Sequence, residues 1–375
     1  MREGLLKNRV PWSVIVAGLA VFAIEICFAH HDLEFNRPEN MAWRRGRSAA
    51  RRSAPRADIL CLGTSMIQTG VLPRVIAHRT GRPAYGMALF ASQMPGNYYL
   101  FKQALDSGAK PSALIIDFPV NFLGTSLDAQ AGTWPALLNV RETLELAIAL
   151  RKPRFFAAVV SEKLLPSLSY RLQIRKAFLA ALRGESASLM DENLVYMRNY
   201  KQNDGAFMNG KRPDYAGEIS EKFRNDFLSS DPWRPDPLKS RYFRRLIGLA
   251  AANGVRVYWV MTPLVPKLQG SRNVRDLDGL YDTYAYGMIS RFPNLTVIDA
   301  RHSNYPASVF MDAIHLDIDG ANALSHTLAE VIDRDKGRSS RWIHLDPFRG
   351  RPFVTPIELV VDSHRFIHSG AAVRR

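Results

Sequence analysis

"ADILCLGTSMIQTGVLP" (57–73) sets the fold. Its first part is a short continuous apolar run, the pattern of a strand buried on both faces. Gly63-Thr64-Ser65 then breaks the run, and residues 66–80 take up helical spacing before a turn. A strand that runs straight into a small-residue turn and a helix is the opening unit of an α/β sheet. It places Ser65 at the carboxyl end of the first strand, where open α/β sheets build their sites.

Outward from this stretch the alternation continues. "PAYGMALFA" (83–91) reads as a second strand, "GNYYLFKQALDSG" (96–108) as a helix stopped at Gly108, and "SALIIDFPV" (112–120) as a third strand. After a long interruption, "KSRYFRRLIGLAAANG" is a helix ending at Gly254 and "VRVYWVMTP" a strand. "LYDTYAYGMISRF" is a helix, "LTVIDA" a strand, and "DGANALSHTLAEVID" a helix with Asp319 as its expected N-cap. Strand–helix–strand repetition implies a three-layer α/β/α fold with a mostly parallel sheet. Residues 125–237 break the rhythm. They begin with helical runs such as "ETLELAIAL" and "LQIRKAFLAAL" and end in Gly-, Pro- and Asp-rich loops, so they read as an insertion over one end of the sheet. The α/β domain then spans 57–335, with 30–56 as a basic linker or surface segment and 336–375 as a basic tail of little periodicity.

The chain has 375 residues, a formal net charge of +15, and 47% apolar and 23% charged residues, the composition of a globular protein with an ample core. The positive charge sits in two flanks. Residues 41–56, "MAWRRGRSAARRSAPR", carry six arginines and no acid, and 336–375 carry eight basic and three acidic residues. Such flanks suit anionic lipid or glycan, or simply a solvated arginine-rich surface. No zinc-finger spacing, aromatic RNA-binding motif or basic heptad is present, so no nucleic-acid partner is expected. The two cysteines, Cys27 and Cys61, suggest neither a disulfide nor a metal framework.

Residues 10–29, "VPWSVIVAGLAVFAIEICFA", are long enough to cross a bilayer, with Glu25 near the far end. Arg2, Lys7 and Arg9 precede them, which favours residues 1–9 in the cytoplasm and the domain on the extracytoplasmic side. The arginines from Arg44 onward run against that orientation. A cleaved signal peptide is the alternative to a retained anchor, with Cys27-Phe28-Ala29 as a poor cleavage site; a buried soluble helix is the third.

The chemistry-bearing residues all fall at strand ends: Ser65 after the first strand, Ala91 and Ser92 after the second, Asn121 after the third, and Asp312 and His315 before the last helix. A serine becomes a nucleophile when an imidazole takes its proton, and the imidazole needs an orienting acid. Asp312 and His315, three apart, can supply both. The N–H groups of Ser65 and Ala91 and the Asn121 amide are candidate oxyanion donors. Each motif alone has a plain alternative: a helix-capping turn at 63–65, a loop cap at Asp312, a turn residue at Asn121. Asp117 and Asp299 also end strands and can line the cleft, Asp299 also serving as a simple loop cap. His302 lacks an acid at a set spacing, the His30–His31 pair is not a metal site, and Gly63, Gly70 and Gly86 make no phosphate loop.

"LGTSMIQTGV", "PVNF" and "MDAIHLD" together resemble the SGNH (GDSL-like) hydrolase superfamily, and most of all its membrane-anchored branch related to bacterial polysaccharide O-acetylation proteins. The resemblance spans roughly 57–125 and 240–335. It implies Ser65 as nucleophile, Asp312 and His315 as acid and base, Asn121 as an oxyanion donor, no cofactor, and transfer or hydrolysis of O-acyl groups, often acetyl, on carbohydrate. Thr64 stands where many members have Asp, and Ala91 where they usually have Gly. A lipase- or thioesterase-like activity and a non-catalytic envelope protein binding anionic glycan or lipid are the rival readings.

Overall fold

The computed structural model describes residues 11–129, 132–229, 232–335 and 341–369. Its frame is one all-parallel six-stranded sheet: β1 (Ile59–Leu62), β2 (Ala84–Gly86), β3 (Ala113–Asp117), β4 (Arg256–Met261), β5 (Leu295–Asp299) and β6 (Arg341–His344). The order is β2-β1-β3-β4-β5-β6. Chain direction across the sheet reverses at β1, so the crevice between the carboxyl ends of β1 and β3 is the switch point where such sheets bind ligands.

Both faces are covered, as the continuous apolar strands require. Leu60, Leu62, Leu114, Ile116, Val257 and Trp259 point to one side. There they meet the helices Met94–Asp106, Pro237–Ala252 and Gly279–Arg291 through Tyr99, Phe101, Tyr242, Phe243 and Met288. Ile59, Cys61, Ile115, Tyr258 and Val260 point to the other. They meet the helices Ser65–Gly70, Pro73–Thr80 and Ile318–Arg334 through Ile67, Val75, Ile76, Leu324 and Leu328.

Between β3 and β4 the expected helical insertion is present, with Val140–Leu150, Pro153–Leu164, Pro166–Ala181 and Met190–Gln202 as its main helices. Val140–Leu150 opens with a capping box: Asn139 accepts from Glu142 N–H, and the Glu142 side chain accepts from Asn139 N–H.

Four expectations change. Residues 30–56 are not a linker. Pro38–Arg52 is a helix whose small and apolar residues recur on one face: Ala42, Trp43, Gly46, Ala49 and Ala50 are all buried. Gly46 lies so close to Leu89 that a Cβ there would sit 2.8 Å from Leu89 Cδ2. Trp43 packs edge-to-face on Trp134 and donates Nε1–H to Phe90 O. Arg44, Arg47 and Arg51 occupy the opposite face and mask the packing signal, while Arg45 packs on Tyr200. The second strand is only three residues long, because Gly86 abuts the backbone of Gly205.

The third change is the cap of Ile318–Arg334. Asp317, not Asp319, takes the N-cap position and accepts from the N–H groups of Asp319 and Gly320. The helix starts earlier because Leu316 is held by a bridge to Phe310. Fourth, the described part of the C-terminal segment belongs to the fold. β6 pairs with β5, and Glu358 grips Arg198 with both oxygens at 2.7 and 2.9 Å. The final helix, Val360–His368, packs on Met190–Gln202.

Trp12–His30 is a helix of 19 residues with mean hydropathy 2.2, long and apolar enough to cross a membrane. Residues 1–9, read as a cytoplasmic lead, lie outside the described residues.

Candidate active site

Beyond Leu62 the chain makes a tight turn that only glycine fits. Gly63 has φ +135°, and a Cβ there would lie 2.0 Å from Asp117 Oδ1. Gly63 N–H is held by Asn97 Oδ1 at 3.1 Å. Thr64 caps the following helix by accepting from Met66 N–H at 3.2 Å. Ser65 is therefore the first residue of the helix, and its own N–H has no acceptor within the helix.

Asp117, the last residue of β3, braces this turn from behind. Its Oδ1 accepts from Thr64 N–H and its Oδ2 from Thr64 Oγ–H, both at 2.6 Å. Burial drives the carboxyl up, the Thr64 hydrogen bonds oppose it, and the result is a pKa of about 7. This contact explains Thr64. An aspartate there would set a second carboxylate against the buried one, whereas threonine donates to it.

His315 and Asp312 come from the loop between β5 and Ile318–Arg334. The Phe310–Leu316 bridge and the Met311 N–H···O=C His315 bond of 2.8 Å close this loop into a narrow turn. Asp312 Oδ1 accepts from the backbone N–H of Ile314 and of His315, both at 2.9 Å. Its Oδ2 lies 2.8 Å from His315 Nδ1. His315 Nε2 lies 2.8 Å from Ser65 Oγ. The helix after the loop packs on Ser65–Gly70 and Pro73–Thr80, which carries the loop across the sheet to β1. Leu72 N–H donates to Ser325 Oγ at 2.7 Å within that contact.

Burial raises the Asp312 carboxyl, but the His315 hydrogen bond and charge, with the two backbone donors, outweigh it and hold the pKa below the usual carboxylate range. Asp312 is thus a carboxylate at neutral pH. It fixes His315 with Nδ1 protonated, leaving Nε2 free to accept from Ser65.

The chain of Ser65, His315 and Asp312 opens into a cavity of about 430 Å³. Phe90, Tyr196 and Phe207 form aromatic wall, and Tyr196 and Phe207 lie 4.3 Å apart between ring centroids. Glu39, Glu192, Gln68 and Asn209 supply polar wall. The exposed Asn209 side chain makes no hydrogen bond among the described residues. Val360 of the C-terminal helix closes one side.

The other sequence candidates fall elsewhere. Asn121 lines a separate cavity with Gly124 and Trp233, and its Oδ1 is buried without a partner. The chain passes Phe118 and Pro119 after β3, so Asn121 is carried onto the next helical turn while Asp117 holds the strand end. Ala91 is exposed in a left-handed turn with φ 50°, next to the cavity-lining Phe90. Asp299 is committed to Arg301, at 2.9 and 2.7 Å. His302 is exposed. Among the described residues, no group of three or more His, Cys, Asp or Glu is placed to hold a metal ion.

Sequence reasoning did not find Glu39, Glu192, Tyr196, Phe207 or Asn209. They come from the supposed linker, the insertion and its polar loop, none of which carries a motif. Neither the known family models nor the curated protein sequences match this chain.

Proposed function

We propose that the protein is a serine-dependent O-acyl ester hydrolase or transferase of SGNH type, acting on acylated carbohydrate. The observation that carries this reading is the unbroken Ser65–His315–Asp312 hydrogen-bond chain, 2.8 Å at each link, opening into a cavity. Ser65 Oγ attacks the ester carbonyl while His315 Nε2 takes its proton. Asp312 stabilises the resulting imidazolium. The Ser65 N–H and the Asn209 amide are the donors offered to the oxyanion, with the Ala91 N–H at the adjacent turn. Collapse of the tetrahedral intermediate expels the alcohol, which takes the proton back from His315 and leaves acyl-Ser65. Water or a sugar hydroxyl then attacks, with His315 again as base.

The cavity wall supports a sugar over a long acyl chain. Phe90, Tyr196 and Phe207 offer faces for a pyranose ring, and Glu39 and Glu192 accept from hydroxyls. Two carboxylates would have to be desolvated against an alkyl chain, which disfavours the lipase reading. The Trp12–His30 helix is taken as a membrane anchor, with the domain on the extracytoplasmic side.

The test compares p-nitrophenyl acetate with p-nitrophenyl decanoate, using the full chain in neutral detergent, with and without mono- and oligosaccharide acceptors. The expected result is turnover of acetate well above decanoate, with acetylated sugar among the products if transfer is the reaction. Preference for decanoate would overturn the carbohydrate reading in favour of a lipase.

A further inference from the structure

A second cavity, larger than the one at Ser65, lies on another part of the protein. It measures about 610 Å³ and lies at the end of the Trp12–His30 helix, whose Ala29 forms part of its rim. Its walls come from the basic face of Pro38–Arg52 and from Pro153–Leu164 and Pro166–Ala181. Arg44, Arg47 and Arg51 recur at helical spacing along one wall, with Arg52 beside them and Lys163 opposite. Glu162 is the one carboxylate among the lining residues.

Four of these five cations have no ion-pair partner among the described residues; only Arg44 has one, in Asp32. They also act on one another. Partial burial and the neighbouring Arg51 pull the Arg47 guanidinium below its ordinary value. Burial, then Arg47, lowers Lys163 to about 8, although its Nζ donates to Pro135 O at 2.6 Å. Five cations gather here against Glu162, with Asp32 on Arg44 and Glu142 behind Arg47 and Lys163, so positive charge remains in excess and favours an anion in the cavity.

Its setting identifies the anion's source. Pro166–Ala181 begins against the anchor helix, where Ser167 N–H donates to Glu25 Oε2 at 2.9 Å. It also exposes Leu168, Leu172 and Phe178 beside Arg171, Arg175 and Lys176. Ala29, on the cavity rim, lies one residue from the end of Trp12–His30, so a span there sets the cavity at headgroup depth.

We propose that the cavity between Pro38–Arg52, Pro153–Leu164 and Pro166–Ala181 binds the phosphate-bearing headgroup of an anionic membrane lipid, with Arg47, Arg51 and Lys163 as its principal contacts. This site is independent of the Ser65 chemistry and rests on Trp12–His30 being a membrane span. Binding there fixes the domain's tilt against the bilayer.

The test uses the full chain in neutral detergent micelles, titrated with phosphatidylglycerol or phosphatidylcholine and read by native mass spectrometry of the lipid-bound fraction. The expected result is selective retention of phosphatidylglycerol. The double variant R47Q/R51Q weakens it about 10- to 30-fold, from the contribution of each cation near an anionic headgroup. S48E, which places a carboxylate on the same wall, weakens it as well. R241Q/R291Q removes the same charge from exposed helices outside the cavity and leaves retention unchanged. Thermal melts of each variant separate loss of binding from loss of fold. Equal retention of the two lipids, or equal losses in R47Q/R51Q and R241Q/R291Q, would overturn the proposal. Displacement of the lipid by millimolar inorganic phosphate would overturn the lipid assignment, leaving a site for free phosphate.

Discussion

Replacing Asp117 with asparagine should change the pH profile of stability more than its level. Asp117 is 1% exposed, and its carboxyl group accepts from the N–H and hydroxyl of Thr64. Its pKa is about 7 in the folded protein against an ordinary value of 3.8. The folded value is raised, so the folded state keeps a proton that the unfolded state has released between those two pH values. The stability linked to that proton is fully present below about pH 4 and lost as pH rises through 7. Three pKa steps at 1.36 kcal/mol each give an upper bound of about 4 kcal/mol.

Asparagine has nearly the shape of the protonated acid. Its Oδ1 can accept from Thr64 N–H, while its Nδ2–H₂ donates to Thr64 Oγ in place of the reverse bond. It does not titrate. D117N should therefore match wild type below about pH 4 and exceed it progressively up to pH 8, by as much as about 4 kcal/mol. Urea unfolding of the full chain in neutral detergent at four pH values measures the difference. Asp312, held below the usual range chiefly by its hydrogen bond to His315, and Asp278, held there by Arg272, remain in both proteins and cancel. A difference that does not move with pH, or that moves in favour of wild type as pH rises, would refute the argument. It would mean the Thr64 donors hold Asp117 ionised.

Other perturbations probe neighbouring claims. G63A forces a Cβ to 2.0 Å from Asp117 Oδ1 at φ +135°; it should lower stability by about 3–5 kcal/mol, read by the urea midpoint. W43A removes a ring packed on Trp134 and should cost about 3–5 kcal/mol by the same assay; a loss under 1 kcal/mol would return residues 38–52 to the status of a surface segment. D312N leaves His315 without its carboxylate and should lower esterase kcat about 10³- to 10⁴-fold with little change in KM. N209A should lower kcat about 10- to 10³-fold if its amide meets the oxyanion, and leave it unchanged if it does not.

Much of this architecture was legible because it rests on local pattern. The continuous apolar runs ending at Leu62, Asp117, Met261 and Asp299 mark strands buried on both sides, and Gly63, Thr262 and Ala300 follow three of them. The positions of Ser65, Asp312 and His315 at strand ends followed from that alternation. What was hidden lies in long-range contacts. Pro38–Arg52 reads as an arginine-rich surface because its buried face is mostly alanine and glycine, with one methionine and one tryptophan. The aromatic and acidic wall around Ser65 is assembled from residues 39, 192, 196 and 207, which share no local pattern. Asn121 lies in the helix after β3 and lines another cavity, which the sequence did not indicate because it marks the end of β3 only to within a few residues. The tail's helix depends on Arg198 and Asn199, more than 150 positions away.

The central claim is that Ser65 carries the acyl group. The most direct measurement is rapid acid quench of the full chain during p-nitrophenyl acetate turnover, followed by peptide mass mapping. The account predicts one acetyl group on the peptide bearing Ser65, absent from S65A and from H315A. Turnover in wild type with no acetyl on Ser65, or equal rates in all three proteins, would contradict it.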